Sequence, residues 1–287
     1  MKLKKLWWLA VPLVVTVVTL VGLNFAFPAA KPQLQSPKND PTRNYKETVH
    51  YVAVGDSLTQ GVGDETKRGG FVPLVANYLK DHYQLKTIQT ENFGISGERS
   101  DQILKRVKKD DELQRSLKSS DLITITVGGN DLLQAFQKNL TASSAKKFAR
   151  PIKTYTEHTE DLLTAVRKLN KTAPIYVVGI YNPYYLNFPD VKEMQKVVDS
   201  WNDATKKLTQ DVYQCYFIPV NDLLYKGLPE KTAKSADTQQ STTDSSVKNN
   251  VLYDKDNFHP NNLGYQIMAH ALEEKMIATK AQWLVKE

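Results

Sequence analysis

At 287 residues, with 41% hydrophobic and 24% charged side chains, the chain suits one large domain with appendages or two small ones, and it can bury a core. Formal net charge is +7, of which three charges are Lys2, Lys4 and Lys5, leaving +4; that is too little to argue for nucleic-acid binding and suits work beside anionic lipids or acidic wall polymers. A single cysteine, Cys215, excludes an intramolecular disulfide and reads as a small buried side chain on a strand.

The three lysines precede an uncharged run at 6–27, which is 22 residues long. A helix rising about 1.5 Å per residue spans roughly 33 Å over that length, enough for a hydrocarbon core of about 30 Å. Trp7 and Trp8 fall at the interface, and the positive charge before the run predicts a single-pass anchor in the cell membrane with the rest of the chain outside. The rival is a cleaved signal peptide and a secreted protein, for which Pro28-Ala29-Ala30 is a poor cleavage site. Because no lipidation cysteine follows the run, a lipoprotein is excluded. Residues 28–47, with Pro28, Pro32, Pro37 and Pro41 among polar neighbours, read as an extended linker to a domain at 48–287.

Within that domain, β-rich apolar runs at 50–55, 87–93, 122–127, 175–180 and 216–220 alternate with helical patterns at 70–82, 100–117, 145–171 and 191–213. Continuous apolar strands separated by helices predict a parallel sheet covered on both faces, a three-layer α/β/α domain. The cluster of Lys105, Arg106, Lys108 and Lys109 beside Asp110-Asp111-Glu112 reads as a solvated helix face. Residues 226–250 are polar and cannot bury a core, so they predict a surface insertion, with an active-site flap as the alternative. A last helix is expected at 262–278, capped by Asn261 or Asn262.

Four short islands carry the chemistry: Gly55-Asp56-Ser57-Leu58 with Gly61, Asn92-Phe93-Gly94, Gly128-Gly129-Asn130-Asp131, and Asp256-Asn257-Phe258-His259-Pro260. Ser57 directly follows the first strand, and the carboxyl ends of strands are where parallel α/β sheets bind ligands. Alone, Gly-Asp-Ser reads equally as a turn and helix cap. Of five histidines, His259 combines a carboxylate three residues earlier with a proline immediately after. Pro260 disfavours helical backbone at His259, and Asp256 can accept the Nδ1 proton, leaving Nε2 as a base toward Ser57. Gly94 and Asn130, at the ends of the second and third strands, can supply N–H donors to an oxyanion. Asp56 and Asp131 read as fixing their own loops. Neither a His-Glu-x-x-His nor a cysteine-pair metal motif is present, and no cofactor is expected.

In this order the blocks Gly-Asp-Ser, Asn-x-Gly, Gly-x-Asn-Asp and Asp-x-x-His-Pro resemble the SGNH hydrolases, or GDSL esterases and lipases, over roughly 48–280. With its anchor, the chain is similar to the membrane-attached, lysophospholipase-like members of Gram-positive bacteria. The resemblance implies a flavodoxin-like sheet of about five parallel strands. It makes Ser57 the nucleophile, His259 the base and Asp256 the orienting acid, with an oxyanion hole from Ser57 N–H, Gly94 N–H and the Asn130 side chain. The implied activity is hydrolysis of a lysophospholipid or short-chain ester by a monomer. A carbohydrate O-acetyl esterase acting on cell-wall polymers and an inactive surface-binding module remain as alternatives. The anchor and the 226–250 insertion lie outside the family core.

Overall fold

The computed structural model describes residues 44–139, 144–188, 190–229 and 248–286. Five strands, β1 (Thr48–Gly55), β2 (Thr87–Gly94), β3 (Leu122–Thr126), β4 (Ile175–Val178) and β5 (Cys215–Ile218), form one sheet in the order β2-β1-β3-β4-β5, and every pairing is parallel. The expected three-layer α/β/α architecture is therefore present.

Alternation along β1 shows why both faces are covered. Val49, Tyr51 and Ala53 point into one core with helices α2 (Phe71–Tyr83) and α9 (Asn262–Ala278), whereas Val52 and Val54 point into the other. That second core is closed by α3 (Ser100–Lys109), α4 (Asp111–Ser119), α6 (Ala149–Leu169) and α7 (Lys192–Gln210). Short helices α1 (Ser57–Gln60) and α8 (Asn221–Leu224) and the longer α5 (Gly129–Lys138) complete the set among the described residues. Cys215 is buried on β5, and burial pushes its thiol up to about 12, as expected of an inert side chain.

Several boundaries differ from the sequence reading. The single helix expected at 100–117 is two, because the Asp110 carboxylate turns back to accept from the N–H groups of Glu112 and Leu113 and starts α4. The helix expected from 145 opens with a 3-10 turn, Ala145–Phe148. Strands β4 and β5 stop at Val178 and Ile218, short of the expected 180 and 220. Helix α5 was unexpected: the Gly-Gly-Asn-Asp island reads as a loop, yet Gly128 only caps a helix that begins at Gly129.

The folded body also begins earlier than 48. Tyr45 bridges Val285, Lys46 N–H donates to the Leu284 carbonyl, and the Lys46 ammonium pairs with Asp121. Among the described residues no helix is long and apolar enough to cross a membrane; the expected anchor at 6–27 lies outside them. Most of the 226–250 insertion, residues 230–247, also lies outside them, but its two ends are stitched together. Asn250 exchanges hydrogen bonds with the Leu228 backbone, and Asn249 Nδ2 donates to the Leu224 carbonyl.

Candidate active site

The carboxyl ends of β1, β2 and β3 meet at Ser57. Gly55 makes the turn possible: its φ is +156°, and a Cβ there would stand 2.3 Å from Thr126 Oγ1 on β3. The next residue, Asp56, is the N-cap of α1, accepting from Leu58 N–H at 3.1 Å and from the Thr126 hydroxyl at 2.7 Å. Ser57 thus occupies the first helical position, where an N–H has no intrahelical acceptor. Burial is the largest influence on Asp56 and raises its carboxyl above the ordinary range despite these hydrogen bonds. Its loop-fixing role agrees with the sequence reading. Asp131, expected to fix its own loop, instead lies on α5 and its carboxylate accepts from the Ser100 N–H and hydroxyl at the start of α3.

From the far end of the chain the fourth island reaches the same place. His259 Nε2 lies 2.9 Å from Ser57 Oγ, and His259 Nδ1 lies 2.7 Å from Asp256 Oδ2. Asp256 Oδ1 also accepts from the N–H groups of Phe258 and His259, at 2.9 and 3.0 Å, so one carboxylate organises the whole turn. Asn257 takes a left-handed φ of +51° to allow this, a conformation asparagine tolerates better than most residues. Burial alone would raise the Asp256 carboxyl, but the hydrogen bonds from the His259 ring and the two backbone groups outweigh it and hold it below its usual range. Beyond the turn, Tyr253 N–H donates to the His259 carbonyl, the Tyr181 hydroxyl donates to the Phe258 carbonyl, and Asn261 caps α9. The histidine is held from both sides.

Of the expected oxyanion donors, Asn130 lines the Ser57 pocket and Gly94 does not. The Asn130 amide donates one hydrogen to the Glu98 carbonyl at 2.9 Å, and its second hydrogen has no need of that partner. Gly94 is corrected: its N–H donates to Asn92 Oδ1 at 2.9 Å and is not free for an oxyanion. What requires glycine here is packing, since a Cβ would stand 2.1 Å from Gln60 N in α1. Three residues on, Gly97 has no atom within 4 Å of where a Cβ would stand, and it adjoins the Glu98 carbonyl that Asn130 holds.

Arg106 is a further correction. Instead of a solvated helix face, its guanidinium is mostly buried, paired to Glu98 at 2.7 Å and donating to the carbonyls of Gly55 and Phe93 at 3.2 and 3.0 Å. It ties the ends of β1 and β2 to the Glu98 loop. Only its spacing could have signalled this: Ile103, Arg106 and Val107 share the α3 face that packs inward. Asp64 was also missed. Its carboxylate accepts from Thr66, Arg68, Gly69 and Gly70, shaping a loop that lies against the His259 turn: a Cβ on Gly63 would meet the Pro260 carbonyl at 2.4 Å.

A pocket-lining hydroxyl hydrogen-bonded to an imidazole that is oriented by a carboxylate is the arrangement of an acyl-transfer nucleophile and its base. Residues 53–267 match the model of the GDSL-like lipase/acylhydrolase family, and the chain belongs to that family. It is a carboxylic ester hydrolase. YpmR of Bacillus subtilis (strain 168) is 31% identical over 242 residues, which cover 84% of this chain and 86% of YpmR. The spore germination lipase LipC of Bacillus licheniformis is 26% identical over 165 residues, 56% of this chain and 75% of LipC. Among solved structures, the lipase Lip_vut3 from a goat rumen metagenome superimposes with a TM-score of 0.63 at 23% identity, covering 79% of this chain and 96% of that one. Axe2, an acetylxylan esterase from Geobacillus stearothermophilus, gives 0.54 at 20% identity, with 79% and 94% covered. At such identities these two likenesses speak for the fold alone.

Proposed function

We propose that this protein is an extracytoplasmic serine acylhydrolase, anchored by residues 6–27 and lifted off the membrane by a linker, that cleaves lysophospholipid or short-chain carboxylic esters through an acyl-enzyme. The observation that carries the chemistry is the chain of contacts from Ser57 Oγ through His259 to Asp256, at 2.9 and 2.7 Å. The carboxylate orients the imidazole so that Nε2 faces the hydroxyl.

His259 Nε2 takes the Ser57 proton as Oγ attacks the ester carbonyl, and the carbonyl electron pair becomes an oxyanion. Ser57 N–H and the second Asn130 amide hydrogen receive that charge, with Gly97 N–H in place of Gly94 N–H; each such donor is worth about 3 kcal/mol in the transition state. Collapse breaks the bond to the alcohol, which leaves with the proton from His259. Water then attacks the acyl-enzyme, giving its proton to His259, and the acid departs as Ser57 regains its hydrogen. Support for the lipid side comes from the lipase name of LipC and from the apolar run at 6–27 beside the lysines.

Ser57→Ala should remove at least about 10³-fold of the turnover of p-nitrophenyl acetate with the unfolding midpoint unmoved, and wild-type Ser57 should be labelled by a fluorophosphonate. Undiminished turnover in the variant, or wild-type protein that is neither labelled nor active, sinks the reading and leaves a surface-binding module in its place.

A further inference from the structure

The cavity at Ser57 does not end there. Gly129, Ile180, Pro183 and Phe258 wall both the Ser57 pocket and a second pocket behind it. Leu133, Phe136 and Met194 wall both that second pocket and a third, which ends near Phe148 and Val197. Sharing these walls, the three adjoin in a row that starts at the serine hydroxyl and follows α5, a trench of neighbouring pockets. Helical spacing explains its character: Leu132, Leu133 and Phe136 fall on one side of α5, while Asp131, Gln134 and Lys138 line a separate polar cavity on the other.

Two polar side chains on the trench are already engaged, Asn182 and Glu193. Asn182 donates to Gln195 and accepts from Tyr184 N–H, and Glu193 pairs with Lys196 and accepts from Ala145 N–H. A sugar would need hydrogen-bond partners along its path, whereas a hydrocarbon needs apolar walls and a route that begins at the reacting carbonyl. Leu133, Phe136 and Met194 are only half-buried, so a chain lying there removes apolar surface from water on both partners.

Resting on the ester-hydrolase reading above, we infer that this trench holds the acyl chain of the substrate and that Met194 and Phe136 set the chain length. From Gly129 to Phe136 the helix advances about 10 Å. An extended alkyl chain advances about 1.25 Å per carbon at C–C bonds of about 1.5 Å, so that path takes roughly eight carbons. The substrate class is therefore medium-chain acyl esters rather than acetylated carbohydrates.

The test is the kcat/KM profile of the full-length chain on p-nitrophenyl esters from acetate to laurate, each below its micelle concentration. The octanoate should exceed the acetate by about tenfold or more, and Met194→Trp should lower that ratio about tenfold while Met194→Ala moves the optimum to longer chains. Circular dichroism melts check that both variants are folded, and Leu133→Trp serves as a second block. An optimum at acetate overturns the inference and leaves the esterase reading standing, as does a medium-chain optimum that neither Met194 variant nor Leu133→Trp shifts. Failure on every ester would instead break the underlying reading.

Discussion

The 253–261 loop and the turn around 55–59 each bring an aspartate close to the Ser57–His259 hydrogen bond, and the two carboxyls live in opposite environments. Asp256 is about one-third exposed, touches the imidazole, and is held ionised below its ordinary range by hydrogen bonds that outweigh burial. Asp56 is 3% exposed, touches Thr126 and the Leu58 N–H, and burial pushes its carboxyl up. One residue type therefore does two jobs, and environment decides which: a solvated carboxylate can carry charge for the histidine, while a buried one is an acceptor that fixes a turn. Damage on the 256 side should show in turnover, and damage on the 55 side in stability.

Asp256→Asn offers the largest separation. The asparagine oxygen can still accept from the Phe258 and His259 N–H groups, but its amide would face His259 Nδ1 and favour the wrong tautomer. Turnover should fall about 10³- to 10⁴-fold, with unfolding stability changed by no more than about 1 kcal/mol. A loss under about tenfold in steady-state kcat would erase the distinction between the two aspartates.

Arg106→Met probes the other side. The side chains of Arg106 and Glu98 are 15% and 14% exposed, so the substitution strands a mostly buried carboxylate and frees the carbonyls of Gly55 and Phe93. A cost of about 3 kcal/mol in urea unfolding is expected, with glutamate left unpaired as its main cause. Under folded conditions kcat should fall less than in Asp256→Asn. If turnover collapses while stability holds, Arg106 acts on the chemistry and not on the scaffold.

How much of this was open to sequence reasoning follows the same division. The residues Ser57, Asp256 and His259 were legible because their types have few alternative uses in that pattern, and because Pro260 marks the histidine as a loop residue. The parallel sheet was legible from strands such as Leu122–Thr126, free of charge and buried along their whole length, with helical patterns between them. Gly94 misled because a glycine after a strand advertises a free N–H, whereas its partner, the Asn92 side chain, is a local choice of rotamer. Arg106 and Asp64 were hidden for a different reason: what they bind is backbone, and carbonyls or N–H groups brought together by folding leave no mark in residue identity. Helix α5 was masked by its opening glycines, which are poor helix formers overruled by the packing of Leu132 and Ala135.

The smallest expected effect is the acid dependence of stability, and its sign distinguishes the two kinds of aspartate. Asp256 and Asp64 sit below their ordinary value of 3.8 in the folded state; for Asp64, as for Asp256, hydrogen bonds outweigh a burial effect that alone would raise it. Their stabilisation is present above about pH 4 and is lost as pH falls through the folded values. Asp56 and Asp131 sit above 3.8, chiefly because they are buried. For them the folded state takes up the proton first, so stability rises as pH falls through the folded values toward 3.8, where the gain is complete. Urea midpoints of wild type, Asp64→Asn and Asp56→Asn between neutrality and about pH 3 separate the contributions. Relative to wild type, Asp64→Asn should recover lost ground only below about pH 4, as its missing carboxylate no longer titrates there. Asp56→Asn should instead lose ground relative to wild type as the solution is acidified, because the buried charge it removes is one that wild type itself discharges by protonation. Parallel midpoint curves for the two variants would mean that Asp56 stays ionised on acidification, and the contrast between the two sides of Ser57 would then rest on geometry alone.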